Sequence, residues 1–120
     1  MDSGQFDELT RAIGERAARR YFTTAERFDA ARAQQIGLVH EVTTPEALDD
    51  TVNAIANAIV ANGPQAVRAS KQLVADVAGV PNTPELRDQT ARLIADVRAS
   101  DEGKAGLQAF LNKATPPWQN

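Results

Sequence analysis

The only histidine of the chain, His40, is the first side chain to consider for acid–base or metal chemistry. It stands between Val39 and Glu41 in the stretch LVHEV, and we expect it on the solvent side of an extended segment or at an interface. A catalytic nucleophile needs a base and a third orienting group, and one histidine is too few for a His-rich metal site. The chain also has no cysteine, which excludes disulfides, thiolate chemistry and thiolate-ligated zinc.

Carboxylates and arginines offer two further candidates. Glu26 and Glu41 could form a carboxylate pair, but nothing in the sequence places them together, and we expect each to be solvated. Arg16, Arg19 and Arg20 lie close together in the first helical stretch. They are expected to form a charged helix face, and contact with an anionic ligand is the alternative.

A glycine-containing stretch, GKAG at 103–106, falls at a predicted helix start. Free amides at such a position can hold an anion, and tight packing of the helix N-terminus is the interpretation we favour. The residues alone therefore indicate a helical domain without a recognisable active site.

Length and charge narrow the class of protein. The chain has 120 residues, 42% of them hydrophobic, and a net charge of −3, so we expect a single domain that is a poor candidate for nucleic-acid binding. The N-terminus MDSGQFDELT is polar and does not resemble a signal peptide. The most apolar stretch, at 54–61, is too short to span a membrane, and the expected location is cytoplasmic.

The pattern of apolar residues predicts a mainly all-α fold with five or six helices and at most one short strand. We expect a loose N-terminal lead over 1–8, a segment 9–44 with a helix, a connector, a short helix and a GLV stretch, and a helical region over 45–118. The first helix is predicted over 6–20, with Gly14 marking a close helix contact. The stretch LVHEV at 38–42 alternates apolar and polar residues, which is typical of a short strand or an extended segment.

Local signals set the predicted helix ends. Thr44 and Thr83 each precede a proline, and Ser100 precedes two acidic residues, which is typical of helix N-caps. Gly37 is expected to end the short helix. Leu48, Val52, Ile55 and Ile59 form one apolar stripe at helical spacing, and Pro116-Pro117 in ATPPWQN predicts a non-helical tail.

The order of three segments resembles the enoyl-CoA hydratase/isomerase (crotonase) family. The stretch RAIGERAARRYFTTAERFDAARAQQIGLVHEV is similar to the family pattern R-x-I-G-x-x-x-A through G-L-V-x-x-V. LDDTVNAIANAIVANGPQAVRASKQLV is similar to the pattern that ends in P-x-A-V-x-x-x-K-x-x-L, and SDEGKAGLQAFLNKATPPW to the family's terminal segment. The resemblance covers about 9–118, nearly the whole chain.

This resemblance implies the C-terminal helical region of the family, which packs on a core of repeated ββα turns. In the family, that core holds the chemistry, because two backbone N–H groups polarise the thioester carbonyl and glutamates move protons. Neither the glycine-rich nor the acidic segments of the core are found in this sequence. The resemblance therefore carries over no catalytic residue, and we expect the chain to be inactive alone.

Three residues are carried over as candidate coenzyme A contacts. Phe110 and Lys113 match the family's A-F-x-x-K, which reaches the coenzyme A of a neighbouring subunit, and Lys71 matches the K-x-x-L lysine. The alternative is that Phe110 packs in the core and that Lys113 is solvated. The sequence departs from the family at two places, with Ala105-Gly106 for the family's E-G and Lys113-Ala114 for its K-R. The loss of the Arg weakens the basic cluster that would meet phosphate.

The expected partners follow from the same resemblance. The helices would bury one stripe against a core that this sequence lacks, so exposed apolar surface predicts a homo-oligomer. A core-bearing crotonase chain and an acyl-CoA are the other expected partners; no metal, nucleic acid or membrane is expected. The alternatives are half of a split enoyl-CoA hydratase and a stand-alone helical interaction module.

Overall fold

The computed structural model describes residues 1–120 and confirms an all-α chain. It contains six α-helices, two single-turn 3₁₀ helices and no strand. The α-helices are α1 Ser3–Thr24, α2 Ala30–Gln35, α3 Leu48–Val60, α4 Pro64–Val77, α5 Pro84–Ala99 and α6 Asp101–Leu111, and the 3₁₀ turns are Pro45–Ala47 and Pro117–Gln119. The chain divides into two compact units, 1–49 and 50–120.

The first helix starts earlier than the sequence predicted. Asp2 caps α1 by accepting a hydrogen bond from the backbone N–H of Gln5 at 2.9 Å, and the Gln5 side chain accepts one from the Asp2 N–H at 3.0 Å. This reciprocal capping box satisfies two N–H groups that a helix start otherwise leaves open. Helical structure therefore extends into the stretch expected to be a loose lead.

Gly14 breaks α1 into two halves. Its backbone has φ 83° and ψ 159°, a region that is open essentially only to glycine. The halves on either side meet, because the rings of Phe6 and Phe22 stack with their centroids 4.0 Å apart. The expected close helix contact at Gly14 is wrong, since a Cβ there would meet nothing within 4 Å, and the glycine is needed for its conformation.

Of the two interpretations of 38–42, the strand is excluded, because the chain contains no strand. The chain offers no second strand to pair with, and a strand needs the N–H and C=O groups of a neighbour. Its first two N–H groups, of Leu38 and Val39, point instead to the carbonyl of Ala33 at 2.9 and 3.5 Å. Gly37, with φ 83°, ends α2 as predicted.

Residues 50–120 form a helical unit in which α5 contacts both α4 and α6. The predicted caps are confirmed, since Thr83 accepts from the N–H of Leu86 at 3.1 Å and Ser100 from that of Gly103 at 3.1 Å. The tail is helical for one 3₁₀ turn, because proline is tolerated at the first position of a helix.

The core of the chain is thin. Only three hydrophobic side chains are buried, all of them alanines: Ala18, Ala33 and Ala109. The chain exposes 9668 Å², whereas two separate compact units of this combined size would expose roughly 7,600 Å². Large aliphatic side chains thus remain in contact with solvent.

Candidate functional site

The end of α6 presents an aromatic ring and an ammonium group together. Phe110 is 79% exposed, and Lys113 follows it by three residues in a left-handed conformation with φ 52°. The Lys113 N–H donates to the Phe110 carbonyl at 3.2 Å, and the Ala114 N–H donates to the carbonyl of buried Ala109 at 2.8 Å. These bonds close the helix end and keep Phe110 and Lys113 within one turn.

The tail that follows this turn is fastened at its far end. Trp118 Nε1 donates to the Ala61 carbonyl at 3.0 Å, and the Gln119 side chain donates to the same oxygen. The Trp118 ring also lies over Gly106, where a Cβ would come within 2.7 Å of the ring. The segment after Lys113 is therefore held between α6 and the end of α3.

The start of α6 is fastened by a side chain acting over a long sequence distance. The Glu102 carboxylate accepts hydrogen bonds from the N–H groups of Gln65 and Ala66 at 3.1 and 3.0 Å, in the first turn of α4. A carboxylate is favoured there by the helix dipole and the open N–H groups. Gly63 leaves room for it, because a Cβ would lie 2.7 Å from a Glu102 oxygen.

Tight packing, the favoured interpretation of GKAG, is supported at Gly103. A Cβ on Gly103 would collide with the backbone carbonyl of Val97, and its N–H is already bonded to Ser100 Oγ. The N-terminal amides of α6 thus meet protein atoms at this point. The structure gives no reason to place an anion there.

Lys71, the third candidate contact, lies exposed on α4. It lies on a different helix from Phe110, and the structure does not join it to the turn that ends α6. Phe110 and Lys113, at the C-terminal end of α6, are therefore the better-defined candidate site, and the role of Lys71 stays a prediction.

The arginines of α1 are largely paired, as expected of a charged face. Arg20 makes a two-pronged ion pair with Glu26, with Nε–Oε2 at 2.8 Å and Nη2–Oε1 at 3.2 Å. Arg19 lies 3.8 Å from a Glu15 oxygen. Arg20 also stacks on the ring of Tyr21, its guanidinium carbon 5.3 Å from the ring centroid.

The Arg20–Glu26 pair shifts both groups towards their charged forms. The hydrogen bond from Arg20, followed by one from the Thr24 hydroxyl at 3.0 Å, lowers the pKa of Glu26. The hydrogen bond to Glu26 raises the pKa of Arg20. Because the pair is exposed, solvent screens it and it contributes little to global stability.

Acid is expected to break this pair below the usual pKa of glutamate. Since the pKa of Glu26 is lowered in the folded chain, its stabilisation is fully present above the unfolded value of about 4.3. It is lost as the pH falls through the lower folded value. A carbon-13 NMR titration of the Glu26 carboxyl measures that midpoint, and Arg20→Gln should raise it. Equal midpoints in the wild type and the variant would contradict the pairing.

The remaining candidates show no assembled chemistry. His40 is exposed, and its carbonyl accepts from the Gln34 side chain at 3.1 Å. Glu26 is paired with Arg20 and not with Glu41. No group of His, Cys, Asp or Glu side chains is arranged to hold a metal ion. None of the helices combines the length and apolar character needed to cross a lipid bilayer.

Sequence reasoning missed the contacts that hold the site. The Glu102 cap and the Trp118 bond to Ala61 join residues 36 to 57 positions apart, and no local pattern reports such pairs. The signal that could have found them is the small residue beneath each large one: Gly63 beneath Glu102 and Gly106 beneath Trp118.

Comparison with known proteins identifies one family by its family model and by individual relatives. A family model described as enoyl-CoA hydratase/isomerase matches residues 1–120. An enoyl-CoA hydratase from Mycobacterium tuberculosis is 32% identical over 118 residues, which cover 98% of this chain and 44% of that protein. A short-chain-enoyl-CoA hydratase from Clostridium acetobutylicum is 41% identical over 71 residues, which cover 59% of this chain and 27% of that protein.

Solved structures match the fold as well. An enoyl-CoA hydratase from Mycobacterium smegmatis aligns with a TM-score of 0.88 and 30% identity over 98% of this chain and 46% of its own. A crotonase from Legionella pneumophila aligns with a TM-score of 0.81 and 47% identity over 92% of this chain and 42% of its own. The chain thus spans less than half the length of these relatives.

Proposed function

Since the chain belongs to the enoyl-CoA hydratase/isomerase family, we propose that it serves as the C-terminal helical region of a crotonase-like protein. Its role is then oligomerisation and the completion of a coenzyme A site, without catalysis by this chain alone. The observation that carries the proposal is the turn that presents Phe110 at 79% exposure beside Lys113.

The chemistry of this turn suits the nucleotide end of coenzyme A. An exposed aromatic ring can stack on adenine, and such stacking is worth about 1–3 kcal/mol per base. An ammonium group can pair with phosphate oxygens as a compact charge. The hydrogen bonds that close α6 and fasten the tail hold the backbone of this turn in place before binding, which reduces the backbone entropy lost on binding.

The same turn does not supply the reaction. Hydration of an enoyl thioester needs donors for the developing oxyanion and a placed carboxylate. Phe110 and Lys113 provide neither, and the Glu102 carboxylate already binds the first turn of α4. We therefore expect no measurable hydration of crotonyl-CoA by the purified chain, and turnover by the chain alone would contradict the proposal.

A second candidate is half of a split enoyl-CoA hydratase, active together with a core-bearing chain. The observation that favours it is the exposed apolar surface of α3 and α6, which a core-bearing chain would cover. Under this proposal, mixing with a core-bearing family chain restores turnover. A cytoplasmic location, like the acyl-CoA substrate class, belongs to the proposal.

Ligand binding by variants tests the coenzyme A contact. We expect Phe110→Ala to weaken binding of acyl-CoA at least about fivefold, since losing the stack removes at least about 1 kcal/mol. Lys113→Gln, which keeps a polar side chain but removes the charge, should weaken it several-fold, and the loss should shrink at high salt. Calorimetry with crotonyl-CoA, on the chain alone and mixed with a core-bearing chain, measures both effects.

Matched controls lie on the same helix. Leu111→Ala removes an exposed apolar side chain next to Phe110, and Lys104→Gln removes an exposed ammonium group at the other end of α6. Neither change should alter acyl-CoA binding. If the Phe110 and Lys113 variants behave like these controls, the chain is a helical interaction module that does not contact coenzyme A.

A further inference from the structure

Lys113 has a backbone conformation that residues with a side chain disfavour. Its φ of 52° lies in the left-handed region, and glycine is the usual residue at this position just after a helix. The N–H groups of Lys113 and Ala114 donate back to carbonyls of α6, at 3.2 and 2.8 Å, which is the bond pattern of a Schellman motif. A strained residue persists where the surrounding chain fixes it, so the contacts around Lys113 decide its conformation.

The tail holds Lys113 from its C-terminal side. Trp118 Nε1 and the side-chain amide of Gln119 both donate to the Ala61 carbonyl, so both lone pairs of that oxygen are used. Ala61 directly follows α3, where a helix leaves carbonyls without intrahelical partners and carries a partial negative charge. These two hydrogen bonds, from Trp118 and Gln119 to Ala61, are called the tail latch below.

The chain between Lys113 and the tail latch is short and stiff. Four residues separate Lys113 from Trp118, and two of them are Pro116 and Pro117, whose rings fix φ. Pro116 is extended, with φ −63° and ψ 152°, and Pro117 starts the last 3₁₀ turn. A displacement of Trp118 is therefore transmitted to Lys113, because few rotations in between can absorb it.

Close packing sets the place of the Trp118 ring. A Cβ on Gly106 would lie 2.7 Å from the ring, well inside the contact distance of two carbon atoms. The ring thus rests directly on the backbone of α6, while its Nε1 reaches the end of α3. The tail cannot slide along α6 without losing the hydrogen bond to Ala61.

We propose that Trp118 and Gln119 are positioning residues for the coenzyme A contact. The tail latch holds Lys113 in its left-handed conformation and thereby fixes where its ammonium group meets phosphate, which lowers the ordering cost of binding. Phe110 lies within α6 and is placed by that helix. The tail latch therefore sets the contribution of Lys113 to affinity and leaves that of Phe110 unchanged. This inference rests on the proposed function and names the residues that set its affinity.

Hydrogen exchange of the Ala114 amide in the full chain measures the hold on Lys113 without any ligand. Trp118→Phe combined with Gln119→Ala removes both donors of the tail latch. This variant should lower the protection of the Ala114 amide about tenfold, because the turn then opens locally. The circular dichroism signal of the helices should be kept. Unchanged protection of Ala114 would overturn the tail latch.

Gly106→Ala reaches the tail latch by packing and keeps both donors. Its Cβ should push the Trp118 ring aside, although alanine favours the helix. The emission of Trp118, the only tryptophan, should shift to the red, and the protection of Ala114 should fall. Gln108→Ala, the matched control, places alanine at an exposed position of α6 and should change neither. A shifted emission with Ala114 still protected would show that the ring does not hold Lys113.

Double-mutant cycles with crotonyl-CoA separate positioning from a general loss of structure. Lys113→Gln, which weakens binding several-fold in the parent chain, should weaken it less than about twofold once both donors of the tail latch are removed. Phe110→Ala should cost the same in both backgrounds. Calorimetry on the chain alone and mixed with a core-bearing chain measures these costs. An equal cost of Lys113→Gln in both backgrounds would overturn the positioning role.

Failure of this inference differs from failure of the proposed function. If Phe110→Ala and Lys113→Gln weaken binding but the tail-latch variants do not, the coenzyme A contact stands and the positioning role is wrong. If crotonyl-CoA binds neither the chain nor the mixture, the coenzyme A contact and the affinity part of this inference are both wrong. The exchange of the Ala114 amide then still decides whether the tail latch holds Lys113.

Discussion

Replacing Gly103 with alanine is expected to destabilise the unit 50–120 by about 3 kcal/mol, the upper part of the range for overpacking. The new Cβ would collide with the backbone carbonyls of Val97 and Arg98 at the junction of α5 and α6. Backbone atoms cannot rotate aside as a side chain can, so α6 has to shift. The gain in helix propensity of about 1 kcal/mol is too small to offset the collision.

Urea unfolding measures this loss. Circular dichroism follows the helices, and Trp118, the only tryptophan, reports whether the tail stays bound to Ala61. The control is Gln108→Ala, an exposed position on the same helix, which should change the free energy of unfolding by less than about 0.5 kcal/mol. Equal stability of the Gly103 and Gln108 variants would show that the junction has room that the structure does not indicate.

Helix ends were predictable because their signals are local. Thr83 and Ser100 cap helices whose first N–H groups lie three residues away, and Gly37 has the positive φ that ends α2. In each case the deciding interaction involves neighbours in sequence. The apolar stripe of α3 was predictable for the same reason, since it depends only on helical spacing.

The predictions that failed concern features that depend on distant partners or on backbone conformation. The stretch LVHEV has the alternation of a strand, but a strand also needs a neighbour, which this chain does not provide. Gly14 has the residue type expected both for close packing and for positive φ, and sequence does not distinguish the two. A glycine inside an amphipathic run gave no indication of a break in α1.

The candidate site also has a part that the sequence predicts and a part that depends on long-range contacts. Phe110 and Lys113 were identified from the family resemblance, and the structure adds that they share one exposed turn. The contact that fastens this turn, from Trp118 to Ala61, spans 57 residues. Such a contact depends on how the tail folds back to the end of α3, and neither segment alone reveals it.

The Gly14→Ala variant is expected to straighten α1. Alanine cannot hold φ 83° and ψ 159° without about 1–3 kcal/mol of strain, and it is the best helix former. The two halves should therefore join into one continuous helix. Phe6 and Phe22, now stacked at 4.0 Å, would move about 24 Å apart, since 16 residues rise about 1.5 Å each.

Spin labels on cysteines at Asp7 and Thr23, next to the two rings, measure this change. The parent chain should show strong dipolar broadening from labels close together, and the Gly14→Ala chain should show a separation near 24 Å with increased helical content. Gly4→Ala is the matched control, because Gly4 lies within α1 and has no positive φ, so the labels should stay close. Labels that stay close in the Gly14→Ala chain would contradict this prediction. They would mean that packing within unit 1–49, including the Phe6–Phe22 stack, keeps the chain bent at residue 14 although alanine favours a straight helix.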